Sequence, residues 1–198
     1  MKQFINLTIC IAFVASAIGQ KKTYADLTEA YQQKYVSNHE VVKGKDRKYL
    51  HFYPANIAFK VECKFEKSTD TAIIAMKTSG TKIPVKDFKR YGKLSFTIHD
   101  TLLQLTVYRS SGAVAAEYKD YLFIPFTDLT SGNESYGGGR YIDILTTDIR
   151  NNKLQLDFNK AYNPYCAYTT GYNCPIPPRE NNLPIAVLAG ERDYGKTH

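Results

Sequence analysis

Between residues 57 and 65, apolar side chains take alternate positions: Ile57, Phe59, Val61, Cys63 and Phe65, with Ala58, Lys60, Glu62 and Lys64 between them. A period of two marks a strand with one face buried. The alternation recurs at Leu94, Phe96 and Ile98, and again at Leu103, Leu105 and Val107. Thr71–Lys77, Ile83–Tyr91, Tyr121–Pro125, Arg140–Leu145 and Lys153–Phe158 read as further short strands, with turn-prone pairs such as Thr69-Asp70, Ser79-Gly80 and Ser111-Gly112 separating many of them. Short strands without intervening helices predict a mainly β fold, an antiparallel β-sandwich or partly open barrel.

Only one stretch has a helical period. Thr23 and Asp26 form a capping signature, and Tyr24, Leu27, Tyr31 and Tyr35 follow at the spacing of one helical stripe. This predicts an amphipathic helix over 24–39, followed by a charged turn at VVKGKDRKYL. At the other end, Pro164, Pro175, Pro177, Pro178 and Pro184 fix φ and remove backbone donors, so 162–184 is expected to be an ordered irregular loop. With its flanks, 157–191 forms a C-terminal wrap. Within it PIAVLAGE is expected to return as a final strand, and RDYGKTH beyond it to fray.

The first nineteen residues change the compartment. Lys2 precedes an apolar run from Phe4 to Val14, and Ala17 and Gly19 stand where a signal peptidase requires small residues. Residues 1–19 are therefore expected to be a cleaved signal peptide, leaving 20–198 as one exported domain, periplasmic or extracellular. The apolar run is short for a membrane span, which needs about 20 residues. The formal charge of +7 is scattered among acids rather than gathered on one segment, which argues against nucleic-acid binding and for a soluble cationic surface.

Export leaves Cys63, Cys166 and Cys174 in an oxidising setting. Proximity favours a Cys166–Cys174 bridge, which on the chain-entropy model contributes about 2.6 kcal/mol. A long bridge from Cys63 would contribute about 4.7 kcal/mol where geometry allowed it. The alternating context of Cys63 favours a buried free thiol instead.

The stretches SGNESYGGGRYIDI and LDFNKAYNPYCAYTTGYNCPIPPRENNLPIAVLAGE resemble a bacterial family known as domain of unknown function 1684. Residues 136–141, 157–168, 174–184 and 189–191 carry the resemblance, closely over the last third of the chain and loosely over the middle. It implies no activity.

Candidate chemistry gathers in the same stretches. In a binding reading, Tyr136, Tyr141, Tyr162, Tyr165, Tyr168 and Tyr172 line a cleft that suits a glycan or other amphipathic small molecule, burying ring faces while hydroxyls bond. The expected ligand-binding set is Tyr136, Arg140, Asp157, Asn159, Tyr162, Asn163, Glu180 and Glu191, with Arg140 presenting its fork to a carboxylate or phosphate. The alternatives are a hydrolase using carboxylates from Asp157, Glu180 and Glu191, and a scaffold in which these residues only hold the loop. Cys166 as a nucleophile would lack a nearby base. No zinc spacing occurs, DFNKAYN lacks the third oxygen and glycine of a calcium loop, and GGGR lacks the rest of a phosphate loop. No motif names a cofactor or an oligomeric state.

Overall fold

A computed structural model describes residues 21–80, 82, 85–112 and 118–196. The expected signal peptide lies outside these residues. Seven strands form one antiparallel sheet: β1 (Lys60–Lys67), β2 (Ile73–Lys77), β3 (Val85–Ile98), β4 (Thr101–Ser110), β5 (Tyr121–Phe126), β6 (Arg140–Leu145) and β7 (Lys153–Asp157). Their order is β6-β5-β4-β3-β1-β7, with β2 pairing the first half of β3 and β1 its second half. The sheet curls into a half-barrel around one main core. β6 and β7 do not pair; past β7, Tyr162 exchanges two backbone hydrogen bonds with Tyr141 of β6 and bridges the seam.

The two strands expected at 83–91 and 94–98 are one strand of 14 residues. A bulge between Arg90 and Gly92 explains the broken alternation. One extra residue switches which positions face the core. Before the bulge, Phe88 joins Met76 and Tyr108 on the outer face; after it, Leu94, Phe96 and Ile98 point into the main core. At Gly92 a Cβ would lie 2.3 Å from the Phe65 ring, so the ring packs directly on the backbone there.

The main core takes Cys63, Leu94, Leu105, Ile124 and Leu156 from the sheet and Leu183, Val187 and Ala189 from the wrap. The wrap thus completes the core. PIAVLAGE does not form a strand: its backbone groups are taken by side chains and by single bridges such as Phe52–Glu191. The segment expected to fray is docked as far as Lys196. The Asp193 amide donates to the Glu134 carbonyl, Tyr194 is buried, and Lys196 pairs with Asp46 at 2.8 Å. Cys166 and Cys174 are bridged, and Cys63 is a buried free thiol whose pKa burial raises to about 12.

Helix α1 (Tyr24–Asn38) begins at the expected cap, with Thr23 and Asp26 exchanging hydrogen bonds of 3.1 and 2.7 Å. Its inner stripe differs from the expected one. Leu27 is 56% exposed and Thr28 is buried, so Tyr24, Thr28, Tyr31 and Tyr35 face the body. The charged turn after it is a 3-10 helix, Gly44–Tyr49. No helix of the described residues is long and apolar enough to cross a membrane.

Candidate functional site

Arg140 opens β6 and is completely buried. One terminal nitrogen donates to the Ala189 carbonyl at 2.5 Å and the Glu191 carbonyl at 3.2 Å. The other donates to Asp128 Oδ2 at 2.7 Å and the Val187 carbonyl at 2.9 Å. Asp128 is equally buried and accepts from the Thr130 amide at 2.8 Å and the Val187 amide at 3.2 Å. The guanidinium, expected to face a ligand, faces a carboxylate supplied by the chain itself, and its two terminal nitrogens also bind three alternate carbonyls of the wrap, while Nε is buried without an acceptor. A planar fork does this where a lysine ammonium could not.

Glu191 is the second anchor. Tyr168 donates to both of its carboxyl oxygens at 2.7 and 2.8 Å, and the Asn163 amide and Tyr35 hydroxyl donate to Oε2 at 2.8 and 3.3 Å. Complete burial raises the Glu191 pKa to about 7 against these donors. Asn163 also donates to the Arg192 carbonyl at 2.7 Å. The glycine of the A-G-E stretch, Gly190, has φ +79°, and a Cβ there would meet the Phe158 and Ala161 carbonyls at 2.7 Å.

The D-F-N stretch makes a third knot. Asp157 Oδ1 accepts from the Tyr24 hydroxyl at 2.8 Å, the Asn159 amide at 3.1 Å and the Asn159 side chain at 3.0 Å. Asn159 in turn ties to Asn56, giving and taking hydrogen bonds of 2.9 Å. Glu180 stands apart on the outer face, where Arg90 forks onto both oxygens at 3.1 and 3.2 Å and Tyr108 donates to Oε1. Beside it, Asn181 replaces a strand: it accepts from the Thr106 amide at 2.7 Å and donates to the Thr106 and Pro125 carbonyls.

The expected polar set is thus divided. Arg140, Asn163 and Glu191 join in one buried network, Asp157 and Asn159 form a second, and Glu180 sits in a third. Asp157, Glu180 and Glu191 bind separate partners rather than converging. Tyr136 packs beside the cluster of Val42, Tyr168 and Tyr194.

Tyr162 borders an open site. Where the wrap crosses the outer face of the sheet, a cleft of about 490 Å³ is walled by Phe88 and Phe123 from the sheet, by Tyr141 and Tyr162 at the seam, and by Tyr165 and Tyr172 from the wrap. The rings form a chain. Phe88 stacks on Phe123 at 5.5 Å, Phe123 meets Tyr141 edge-on at 4.7 Å, and Tyr141 meets Tyr162 at 5.8 Å. Tyr165 and Tyr172 face each other at 5.1 Å. Four of the six tyrosines expected in a cleft line this one; Phe88 and Phe123, hidden in strand patterns, were not marked as site residues by the sequence.

Hydrogen bonds hold the wall. Tyr141 donates to the Pro175 carbonyl, Tyr162 to Asp143 at 2.6 Å and Tyr165 to Glu40 at 2.6 Å. The Ile176 amide and the Cys174 carbonyl pair with Lys77 and Ser79 at the end of β2. Asp143 is open to solvent yet ringed by protein atoms, and that dehydration raises its pKa against the bond from Tyr162. No group of three or more His, Cys, Asp or Glu among the described residues is placed to hold a metal ion.

Residues 45–192 match the family model described as Protein of unknown function (DUF1684). Among solved structures, the chain is similar to the uncharacterized protein from gene locus rrnAC0354 of Haloarcula marismortui, determined by solution NMR. That protein shares 27% identity at a TM-score of 0.63, over 84% of this chain and 92% of its own. No curated protein matches the sequence. The family match takes in every strand, the Arg140 clamp and the wrap through Arg192, and leaves α1 outside. The chain belongs to the DUF1684 family of proteins of unknown function.

Proposed function

We propose that this is an exported binding protein that takes a small amphipathic molecule or short glycan in the aromatic cleft between the sheet and the C-terminal wrap. The signal-peptide features of residues 1–19 support export. One observation carries the binding reading: six aromatic rings from the sheet, the seam and the wrap converge on a single open cleft of about 490 Å³. Ligand pockets are typically concave, mainly apolar and edged by a few polar groups. Here Ser110, Asn173 and Lys86 are the polar edge. Tyrosine rings present flat apolar faces that cover the C–H face of a sugar, leaving its hydroxyls to the edge.

The buried networks serve this site at one remove. They fix the wrap, and the wrap supplies one wall. The scaffold reading is therefore part of the binding reading.

A thermal-shift screen of oligosaccharides and small acids tests the proposal, since a ligand of the folded state raises the midpoint in proportion to RT ln(1 + [L]/Kd). Tyr172, 41% exposed, can be truncated without opening the core. A hit whose shift grows with concentration and is lost in Tyr172→Ala supports the cleft. Hits that Tyr172→Ala and Phe123→Ala leave untouched place binding elsewhere and refute it.

A further inference from the structure

The cleft does not end at its own rim. Toward β5 it shares Phe88, Ser110 and Phe123 with a depression of about 230 Å³ flanked by Tyr121. In the other direction it shares Tyr172 and Asn173 with one of about 350 Å³ edged by Ser79 and Thr169. The three make one trough, with exposed rings at Tyr121 (45% exposed) and Tyr172 (41% exposed) along it. Hydroxyl and amide groups interleave with the rings. An acyl chain needs an enclosed apolar tunnel; an open trough of alternating rings and polar groups fits a chain of sugar units.

Charge narrows the class. Lys82, Lys86, Arg109 and Lys119 line the trough, against one carboxylate, Asp143, which already accepts from Tyr162 at 2.6 Å. None of the four cations makes an ion pair among the described residues. Arg109 turns its guanidinium away from the trough, over the Tyr91 ring at 4.5 Å, which packs against the main core on the face of the sheet opposite Phe88 and Tyr108. Lysines that outnumber the one, already engaged carboxylate along an aromatic trough favour anionic groups on the ligand.

We infer that the trough binds an extended acidic oligosaccharide, its sugar faces on Tyr172, Phe123 and Tyr121 and its carboxylates or sulfate esters on Lys86 and Lys119. The inference rests on the binding reading above and adds the ligand's length and charge.

The test is titration calorimetry of the mature protein with hexagalacturonate, with the carboxyl-reduced form of the same hexasaccharide, with polyglutamate and with anionic phospholipid vesicles. The acidic sugar is expected to bind about tenfold tighter than its reduced form at low salt, and the gap to narrow at high salt. Lys86→Gln with Lys119→Gln, both at exposed positions, should weaken the acidic sugar about fivefold to tenfold and leave the reduced one unchanged. Equal affinity for the two sugars would overturn the charge assignment while the binding reading stood. Polyglutamate or vesicles binding as tightly as the acidic sugar would overturn the glycan assignment. Binding by neither sugar, together with a blank thermal-shift screen, would remove both readings.

Discussion

Replacing Arg140 by methionine keeps most of the side-chain volume and deletes the fork. Asp128 would then be a fully buried carboxylate without its cation, and the carbonyls of Val187, Ala189 and Glu191 would lose their donor. Removing one partner of a buried ion pair costs about 3–5 kcal/mol. Each stranded carbonyl adds up to about 1 kcal/mol, less where water follows it in. The sum, about 3–8 kcal/mol, is a large share of the ~5–15 kcal/mol that holds a domain folded. Arg140→Lys keeps the charge but gives a point donor for a planar fork, and should cost about half as much. Adding Asp128→Asn to Arg140→Met removes the stranded charge and should recover ~1–3 kcal/mol. Urea unfolding followed by circular dichroism, extrapolated linearly to water, measures all four proteins. A solvent-facing ligand-binding arginine would change stability by less than about 0.5 kcal/mol on truncation. That outcome for Arg140→Met, or a double variant less stable than the single one, would refute the clamp.

Other consequences follow from the same contacts. Burial raises the Glu191 pKa from its ordinary value of 4.5 to about 7, so the folded state holds a proton that the unfolded state has lost. Stability from this group is therefore present below pH 4.5 and falls as pH rises to 7, by about 3 kcal/mol. His39, lowered to about 4 by burial, gives the opposite slope between pH 6.5 and 4. The difference between wild type and Glu191→Gln isolates the Glu191 slope in urea midpoints from pH 4 to 8; a pH-independent difference would contradict it. Cys166→Ser should cost about 2.6 kcal/mol and lower the melting temperature to that of the reduced wild type. Gly190→Ala combines a strained φ of +79° with contacts of 2.7 Å to two carbonyls, and should cost about 2–4 kcal/mol in the same urea assay.

Much of the fold was legible because alternation survives wherever a strand buries one face throughout, as β1 does. It failed at β3, where the bulge near Tyr91 exchanges faces mid-strand and makes one element look like two. The α1 stripe was misplaced at Leu27 because composition suggests that leucine faces inward; burial of Thr28 is a tertiary choice, with its hydroxyl closed onto the Tyr24 carbonyl at 2.9 Å. The two-residue turns at His99-Asp100 and Asn151-Asn152, all at positive φ, are hairpin signals that these residue types tolerate. PIAVLAGE has the composition of a strand, yet no neighbouring edge receives it; Arg140 and Asp128 take its backbone groups instead.

The site was half legible. Tyrosine density pointed to a cleft that Tyr141, Tyr162, Tyr165 and Tyr172 do line. Short polar residues in the motifs carried no sign of whether they faced inward. Asp157, Asn159, Asn163 and Asn181 all turned out to bond main chain, since an irregular buried segment needs side chains where a sheet would use its neighbour. Phe88 and Phe123 read as core residues, and only the bulge and the crossing wrap place them at the trough.

A cleft walled by the wrap requires the wrap to be as rigid as the sheet it covers. Native-state hydrogen exchange measures this directly. The amides of Leu183, Val187, Glu191 and Arg192 donate to Thr127, Asp128, Ala161 and His51 at 2.8–3.2 Å. They should exchange only through global unfolding, with the same free energy and denaturant dependence as amides of β4 and β5. Exchange of these four amides through local openings several kcal/mol below the global value would contradict the account.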